Sequence, residues 1–420
     1  MLRKIVSRIA LLAFSVILTL ALAEVGLRIA HIRYSSWLDI SRFLTWNPYT
    51  GVESRPNAQF MWHLENDNFV RISSQGFHDV EHAKAKPPNT FRIAVLGDSY
   101  AQALQVPLDK NFSSVLQRQL QDCAALGGKH VEVMNFGMHG YGTAQELQML
   151  RHYAWDYSPD LVLLAFFTGN DVQNNSRDLQ QDPYRPYFVH QDGKLLLDDS
   201  FVNAPGFRSQ FDTFHRVFSW SVANSRVLQV AFAAKHYLSS RKNSDGTRPL
   251  DVGNDEDIYQ PPANAAWTEA WSLTEDLLAA MRDETKSHGA EFLIVTLSNG
   301  VQVDPDPTAR EAMKKRFGVP DLFYPDNRIN QFGKKENIEV LTLAPVFLQY
   351  AQQHNVELHG FHGTKNQGHW NELGHELGGQ LMAERVCQMQ SASSGPKTAL
   401  AEGKQHSPSV VGSEAQPVAR

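Results

Sequence analysis

The chain has 420 residues, of which 42% are hydrophobic and 20% are charged, and its formal net charge at pH 7 is -6. This composition is typical of a globular protein and excludes a chain that is disordered throughout. Because Lys and Arg form no run outside the extreme N-terminus, the sequence predicts that nucleic acid is not a partner.

Residues 1–33 predict an export signal or a membrane anchor. Arg3, Lys4 and Arg8 precede an uncharged apolar stretch, Ile9–Ala23. That length lies between the roughly 7 to 15 residues of a signal-peptide core and the roughly 20 residues of a membrane span. Ala21-Leu22-Ala23 offers a cleavage site, but the apolar character continues to Leu27. We interpret the segment as an uncleaved anchor that binds the chain to a membrane and leaves the main domain outside the cytoplasm.

Residues 34–90 are polar and rich in turn residues, and they predict an extension packed on the main domain. Apolar strands and amphipathic helices then alternate, which indicates the α/β class. Strands are predicted at Arg92–Gly97, Val131–Gly137 and Asp160–Phe167, and helices at Asp109–Asp122 and Thr143–Tyr157.

The alternation is interrupted by a polar and aromatic insertion at residues 172–262, in which a helix is predicted at Trp220–Tyr237. It resumes with a helix at Asn264–His288, strands at Glu291–Leu297 and Ile338–Ala344, and a last helix from about Glu372 to Met389. We therefore expect a main domain over residues 91–390. Residues 391–420 lack apolar periodicity and predict a disordered tail.

Polar motifs follow four of the predicted strands. They are GDSY after the first strand, NFGMHGYGT after the second, TGND after the third and HGFHGTKNQGHWNELGH after the fifth. Each motif alone is common in turns and helix caps. Ligands of an open parallel sheet bind outside the carboxyl ends of its strands, so their joint placement predicts a functional site there.

The order of these motifs resembles the SGNH (GDSL-type) hydrolase family, in particular its membrane-anchored bacterial members. The family's Ser, Gly, Asn and His match Ser99 in GDSY, Gly140 in NFGMHG, Asn170 in GND and His369 in GHWNELGH. The resemblance covers residues 92 to about 387 without the insertion. It implies a three-layer α/β/α, flavodoxin-like fold with a mostly parallel five-stranded sheet.

The resemblance also implies acyl transfer without a cofactor. Ser99 would attack an ester carbonyl, and His369 would take the hydroxyl proton and return it to the leaving alcohol. The N–H groups of Ser99 and Gly140 and the side-chain amide of Asn170 would stabilise the oxyanion.

One position departs from the family pattern. The family has an Asp three residues before the catalytic His, and here that position is Asn366. An amide cannot stabilise an imidazolium as a carboxylate does. Three interpretations stay open: a Ser-His dyad whose ring is held by a carbonyl, a carboxylate supplied by Asp304 or Asp306, or a degenerate site.

Five histidines cluster near the C-terminal motif without a metal-binding spacing, so we expect no metal site. They are His354, His359, His362, His369 and His375.

These inferences predict an exported serine esterase, anchored in a bacterial inner membrane with its catalytic domain in the periplasm. Cleavage of the N-terminus would release it into the same compartment. The expected substrate is an O-acetyl group on a cell-envelope or exported glycan, and a lipid or small acyl ester is the alternative. A non-catalytic glycan-binding protein and an O-acyltransferase on the same fold are the rival functions.

The chain contains two cysteines, Cys123 and Cys387. In a sheet of order 2-1-3-4-5 the first and last helices lie side by side and run in the same direction. Both cysteines lie late in these helices, so they would lie near the same end of the molecule. Export would place them in an oxidising compartment, and a disulfide or two separate buried thiols are both open.

Overall fold

The computed structural model describes residues 2–32, 43–242, 256–361, 363–364 and 366–394. Part of the expected extension, part of the insertion, His362 and residues 395–420 of the expected tail lie outside these ranges.

The N-terminal part contains one long helix and two small hairpins. Helix α1 spans Leu2–Ile29. An 18-residue window of its segment Arg3–Ile29 has a mean hydropathy of 2.3 and contains no buried residue. The helix is therefore long and apolar enough to cross a membrane, a property that signal sequences share. The antiparallel hairpins consist of β1 (Leu44–Asn47) with β2 (Gly51–Ser54), and of β3 (Gln59–Trp62) with β4 (Asn68–Arg71).

A parallel sheet forms the centre of the described chain. Its strands are β5 (Thr90–Gly97), β6 (His130–Asn135), β7 (Leu161–Phe167), β10 (Glu291–Leu297) and β11 (Glu339–Thr342), while β8 (Tyr187–Gln191) and β9 (Lys194–Asp198) form a separate hairpin. The order β11-β10-β7-β5-β6, with every pairing parallel, is 2-1-3-4-5 in chain order. The inner strands β5 and β7 are buried along their whole length, which explains the continuous apolar sequence of β7 and the apolar run that follows Arg92 in β5. The predicted α/β class and parallel sheet are confirmed.

Helices cover both faces of the sheet and complete the three layers. After α1, the helices of the described chain are, in order, α2 (Ser99–Gln102), α3 (Phe112–Leu120), α4 (Thr143–His152), α5 (Asp171–Asn175), α6 (Arg177–Gln180), α7 (Thr213–Asn224), α8 (Arg226–Lys242), α9 (Ala265–Ser287), α10 (Gly300–Val303), α11 (Pro307–Phe317), α12 (Tyr324–Glu336), α13 (Ala344–His354) and α14 (Glu372–Ser394). Helices α4, α9 and α12 contribute to the core on one face. Helices α3, α13 and α14 contribute to the core on the other.

Several helices differ from the sequence-based expectations. The single helix expected at Trp220–Tyr237 is two helices, because Ser225 adopts an extended conformation between α7 and α8. Helices α11, α12 and α13 were not predicted, since their sequences are rich in polar residues or short of apolar periodicity. Helix α14 continues to Ser394, five residues beyond the expected end at Met389.

The two cysteines form a disulfide in the described structure. Cys123 follows α3, Cys387 lies in α14, and their Cα atoms are 5.8 Å apart. Helices α3 and α14 pack against each other, as the strand order requires. A bridge across 264 residues constrains the unfolded chain, which by the loop-entropy relation is worth about 2 to 5 kcal/mol of stability.

Candidate active site

Ser99 begins a short helix directly after the central strand β5. Asp98 follows the strand as the N-cap of α2, and its Oδ1 accepts a hydrogen bond from the N–H of Tyr100 at 2.8 Å. This cap turns the chain sharply at the carboxyl end of the sheet. The turn leaves Ser99 6% exposed at the edge where the functional motifs were expected to meet.

A three-residue hydrogen-bond chain runs from Ser99 through His369 to Glu65. The Ser99 Oγ lies 2.8 Å from His369 Nε2, and His369 Nδ1 lies 2.7 Å from Glu65 Oε1. An ionised carboxylate can only accept, so Nδ1 carries the proton and Nε2 is the acceptor for the Ser99 hydroxyl. The structure thus brings together a hydroxyl, an imidazole and a carboxylate in the order that activates a nucleophile.

Glu65 was not found from the sequence. It lies in the turn between β3 and β4, outside every motif of the family resemblance. Asn66 Nδ2 donates to Gln105 O at 3.0 Å and Asn68 Nδ2 donates to Leu104 O at 2.9 Å. These bonds tie the part of the turn that follows Glu65 to the segment directly after α2. The N-terminal extension therefore contributes a residue to the site. The sequence gives no sign of this beyond the fact that the extension leads into the GDSY motif.

The chain bends closely around the Glu65 carboxylate. Gly368 has a φ of +83°, and a Cβ at this position would lie 2.7 Å from Glu65 Oε1. Any side chain here would be strained and would push the carboxylate away from His369. Gly368 thus admits the carboxylate beside the imidazole.

The candidate orienting residues named from the sequence form no hydrogen bond with His369, and the alternative that Asp304 or Asp306 supplies the carboxylate is wrong, because Glu65 occupies that place. Asp304 Oδ1 accepts from the Asp306 N–H at 2.9 Å, and Asp306 Oδ1 accepts from Thr308 N–H as the N-cap of α11. Both carboxylates therefore bind backbone N–H groups at the start of α11. Asn366 adopts a left-handed φ of 49°, and its buried Oδ1 has no hydrogen-bond partner within the described residues.

The charges of Glu65 and His369 stabilise each other. Burial alone would raise the pKa of Glu65, but the hydrogen bonds and charge of His369 outweigh it and lower that pKa. Burial alone would lower the pKa of His369, whereas the Glu65 carboxylate raises it above its ordinary value. The two opposite shifts have one cause, which is that the ionised carboxylate favours the imidazolium.

The other two motif residues lie on neighbouring loops. Asn170 Nδ2 donates to Asp98 Oδ2 at 3.1 Å, so its amide nitrogen is directed towards the Ser99 turn. Gly140 has a φ of +76°, with no atom within 4 Å of the position a Cβ would take. Its carbonyl accepts from Arg185 Nη2 at 3.0 Å, which fixes the loop in this conformation. The space beside Gly140 is open and could admit part of a substrate.

A second histidine borders the pair. Burial and the proximity of His369 lower the pKa of His139 to about 4, so this ring is neutral at pH 7. Its backbone N–H donates to Gln102 Oε1 at 3.0 Å, which links the Gly140 loop to the end of α2.

No group of three or more His, Cys, Asp or Glu side chains is arranged to hold a metal ion among the residues described. His369 is hydrogen-bonded to Ser99 and Glu65, and His375 Nδ1 accepts from the Phe112 N–H at 3.3 Å.

A scan against protein-family models and a search of curated proteins give no match to this chain. Solved structures similar to it include an acetyl xylan esterase, AlAXEase, at 15% identity and a TM-score of 0.37, covering 70% of this chain and 100% of that one. A putative lipolytic protein of the G-D-S-L family from Desulfitobacterium hafniense has 13% identity and a TM-score of 0.32, with coverage of 70% and 98%. The lipase/acylhydrolase from Enterococcus faecalis has 15% identity and a TM-score of 0.33, with coverage of 71% and 96%. At such low identities and TM-scores, we draw no conclusion about activity from these similarities.

Proposed function

We propose that this protein is a serine ester hydrolase of the SGNH type. The observation that carries the proposal is the hydrogen-bond chain Ser99–His369–Glu65, with distances of 2.8 and 2.7 Å. A neutral imidazole that accepts from a serine hydroxyl and donates to a carboxylate is the arrangement that acyl transfer requires. Glu65 takes the orienting role that the sequence left open.

In the first half of the reaction Ser99 Oγ bonds to the ester carbonyl carbon while its proton moves to His369 Nε2. The positive charge that forms on the imidazole is stabilised by the Glu65 carboxylate. The oxyanion accepts hydrogen bonds from the N–H groups of Ser99 and Gly140 and from Asn170 Nδ2. When the tetrahedral intermediate breaks down, the proton on Nε2 passes to the leaving alkoxide, and an acyl-serine remains.

In the second half water attacks the acyl carbon. His369 Nε2 takes a proton from that water and returns it to Ser99 Oγ as the carboxylic acid leaves. The same oxyanion donors serve this step, since the tetrahedral intermediate has the same shape. The cycle consumes one ester and one water and restores the starting protonation state.

As substrate we propose a short O-acyl group, such as acetyl, on a cell-envelope glycan. Ser99 and His369 are 6% and 4% exposed, which favours a small acyl group over a long chain. We also propose that α1 anchors the protein in the membrane with its hydrolase domain in the periplasm, because this helix is apolar and unburied. An enzyme held there meets the polymers of the envelope.

A fluorophosphonate probe tests the catalytic proposal, since it reacts covalently only with an activated serine. We expect labelling of the wild-type protein, none of Ser99→Ala, and unchanged labelling of Ser298→Ala. Ser298 is a matched control, because its Oγ also lies 3.0 Å from a histidine Nε2, that of His359, but is fully buried. Equal labelling of Ser99→Ala and wild type would overturn the hydrolase proposal.

The substrate is tested by measuring acetate released from an O-acetylated polysaccharide beside p-nitrophenyl esters of increasing acyl length. We expect the rate to fall steeply beyond short chains. Acetate that moves only to an added alcohol would indicate acyl transfer. Polysaccharide binding without labelling or release would indicate a binding protein.

A further inference from the structure

The outer end of α1 holds the ends of two other helices. Glu24 accepts hydrogen bonds from the N–H groups of Arg226 and Val227, at 3.1 and 3.0 Å, at the start of α8. Arg28 Nη2 donates to the carbonyl of Asn224 at 2.7 Å, at the end of α7. A carboxylate on a helix N-terminus and a guanidinium on a C-terminus complement the partial charges there. The junction of α7 and α8 is thereby fixed to α1.

Helix α7 turns an apolar face to the outside. We call this the α7 face, and it consists of Phe214 (73% exposed), Val217 (58%), Phe218 (44%) and Trp220 (61%). In contrast, Ser219 of the same helix is 3% exposed. Contiguous apolar surface of this kind marks a site that contacts another protein or a membrane.

A cavity of about 330 Å³ lies beside the α7 face, and it is lined by Arg55, Thr213, Arg216, Val217 and Trp220. Arg55 Nη2 donates to Leu44 O and Arg216 Nη2 donates to Thr213 Oγ1, each at 3.0 Å. Within the described parts of the chain, neither guanidinium forms a salt bridge with a carboxylate. Burial and the neighbouring Arg216 charge lower the pKa of Arg55. Two cations without a counter-charge favour an anion between them.

We propose that α7 lies in the headgroup layer of the membrane that α1 enters, with the α7 face towards the acyl chains and a phospholipid phosphate in the Arg55–Arg216 cavity. This inference rests on the anchor of the proposed function. The lipid is favoured over a protein partner because Glu24 and Arg28 fix α7 to the end of the apolar stretch of α1. The end of a spanning helix lies at the membrane–water interface, where Trp and Phe side chains partition and where arginines bind lipid phosphates.

The contact would orient the hydrolase domain. A single spanning helix leaves the domain free to tilt relative to the membrane plane, whereas a second contact through α7 restricts that tilt. Arg55 lies in the turn between β2 and β3, and the turn after β3 carries Glu65. The lipid contact would therefore hold the extension that completes the site at a defined position near the membrane surface.

The full-length protein in lipid nanodiscs tests this contact through a fluorophore attached to a new thiol. The two native cysteines are paired, so Phe214→Cys on the α7 face and Val346→Cys on α13 are labelled selectively. Val346, which is 37% exposed, is a control on the hydrolase domain. We expect brominated acyl chains to quench the fluorophore at position 214 several-fold more than at position 346. Equal, weak quenching at both positions, with the protein still in the disc, would overturn the inference and leave the anchor intact.

The cavity is tested by replacing both arginines, as Arg55→Gln with Arg216→Gln. In the wild type we expect brominated phosphatidylglycerol to quench at position 214 in preference to brominated phosphatidylcholine. Each arginine should contribute roughly fivefold to that preference, and the double variant should lose it. The variant Lys110→Gln with Lys194→Gln removes the same charge from exposed positions elsewhere and should keep the preference. Loss of preference in both variants would show general charge attraction and overturn the cavity.

Discussion

The described chain contains two buried Ser-His pairs, and they differ in what lies on the other side of each imidazole. In one, Ser99 Oγ is 2.8 Å from His369 Nε2, and Nδ1 meets the Glu65 carboxylate. In the other, Ser298 Oγ is 3.0 Å from His359 Nε2, and Nδ1 meets the carbonyl of Gly368 at 2.9 Å. A serine beside a histidine is thus common to both pairs.

The group that binds Nδ1 of each histidine makes the two pairs chemically different. The Glu65 carboxylate raises the pKa of His369, whereas burial lowers the pKa of His359 to about 4 despite its carbonyl partner. A neutral carbonyl cannot stabilise an imidazolium as a charged carboxylate does. His359 is therefore suited to hold the loop before His369, and His369 is suited to take a proton. The comparison shows that Glu65 separates a candidate catalytic pair from a structural one.

Replacing Glu65 should have the largest effect, because it makes the first pair resemble the second. We expect Glu65→Gln to lower kcat for ester hydrolysis on the order of 10³ to 10⁴-fold, with little change in KM. Steady-state kinetics on a p-nitrophenyl ester measures this, and Asp306→Asn is the control, since that carboxylate only caps α11. If Asp306→Asn lowered the rate and Glu65→Gln did not, the orienting carboxylate would be Asp306, as the sequence suggested, and not Glu65.

Asn170 tests whether an oxyanion site distinguishes the two pairs. Its Nδ2 is directed to the Ser99 turn through Asp98. We expect Asn170→Ala to reduce kcat about 10² to 10³-fold while KM stays similar, because the amide acts mainly in the transition state. Fluorophosphonate labelling should slow in parallel. A large rise in KM with unchanged kcat would instead make Asn170 a substrate-binding residue.

The sheet could be predicted because the pattern of apolar residues in its strands reflects how those strands are buried. Strands covered on both faces have continuous apolar runs, as in β7, and the polar residues at their ends mark the ligand edge. Ser99, Asn170 and His369 could be named from those motifs. The helices α11 and α12 could not, since only one face of each meets the core and their apolar residues are sparse.

Glu65 could not be predicted because its position depends on tertiary contacts alone. The strands β3 and β4 have four residues each, too few for a reliable alternation. The amide of Asn68 places the turn by bonding to the carbonyls of Leu104 and Val106, at 2.9 and 2.7 Å. No local sequence pattern predicts these two hydrogen bonds.

The pH dependence of hydrolysis should report the difference between the two imidazoles. His369 must be neutral to accept the Ser99 proton, so kcat/KM should rise as pH increases through its raised pKa, above 6.5. In Glu65→Gln the residual activity should rise at lower pH, because the carboxylate no longer favours the imidazolium. His359, with a pKa of about 4, contributes no step in this range. An ascending limb at the same pH in both proteins would contradict the Glu65 assignment.

Removing the hydroxyl of Ser298, the serine of the second pair, should have the smallest effect on activity and a clear effect on stability. Ser298 Oγ accepts from Trp370 Nε1 at 3.0 Å and donates to His359 Nε2, so Ser298→Ala leaves two buried polar groups without their partner. Each such loss costs about 1 to 3 kcal/mol in the free energy of unfolding. We expect a lower thermal midpoint with kcat within a few-fold of wild type, whereas Ser99→Ala should show the reverse. If Ser298→Ala abolished hydrolysis without lowering the midpoint, the buried pair would take part in the chemistry and the distinction drawn from Glu65 would fail.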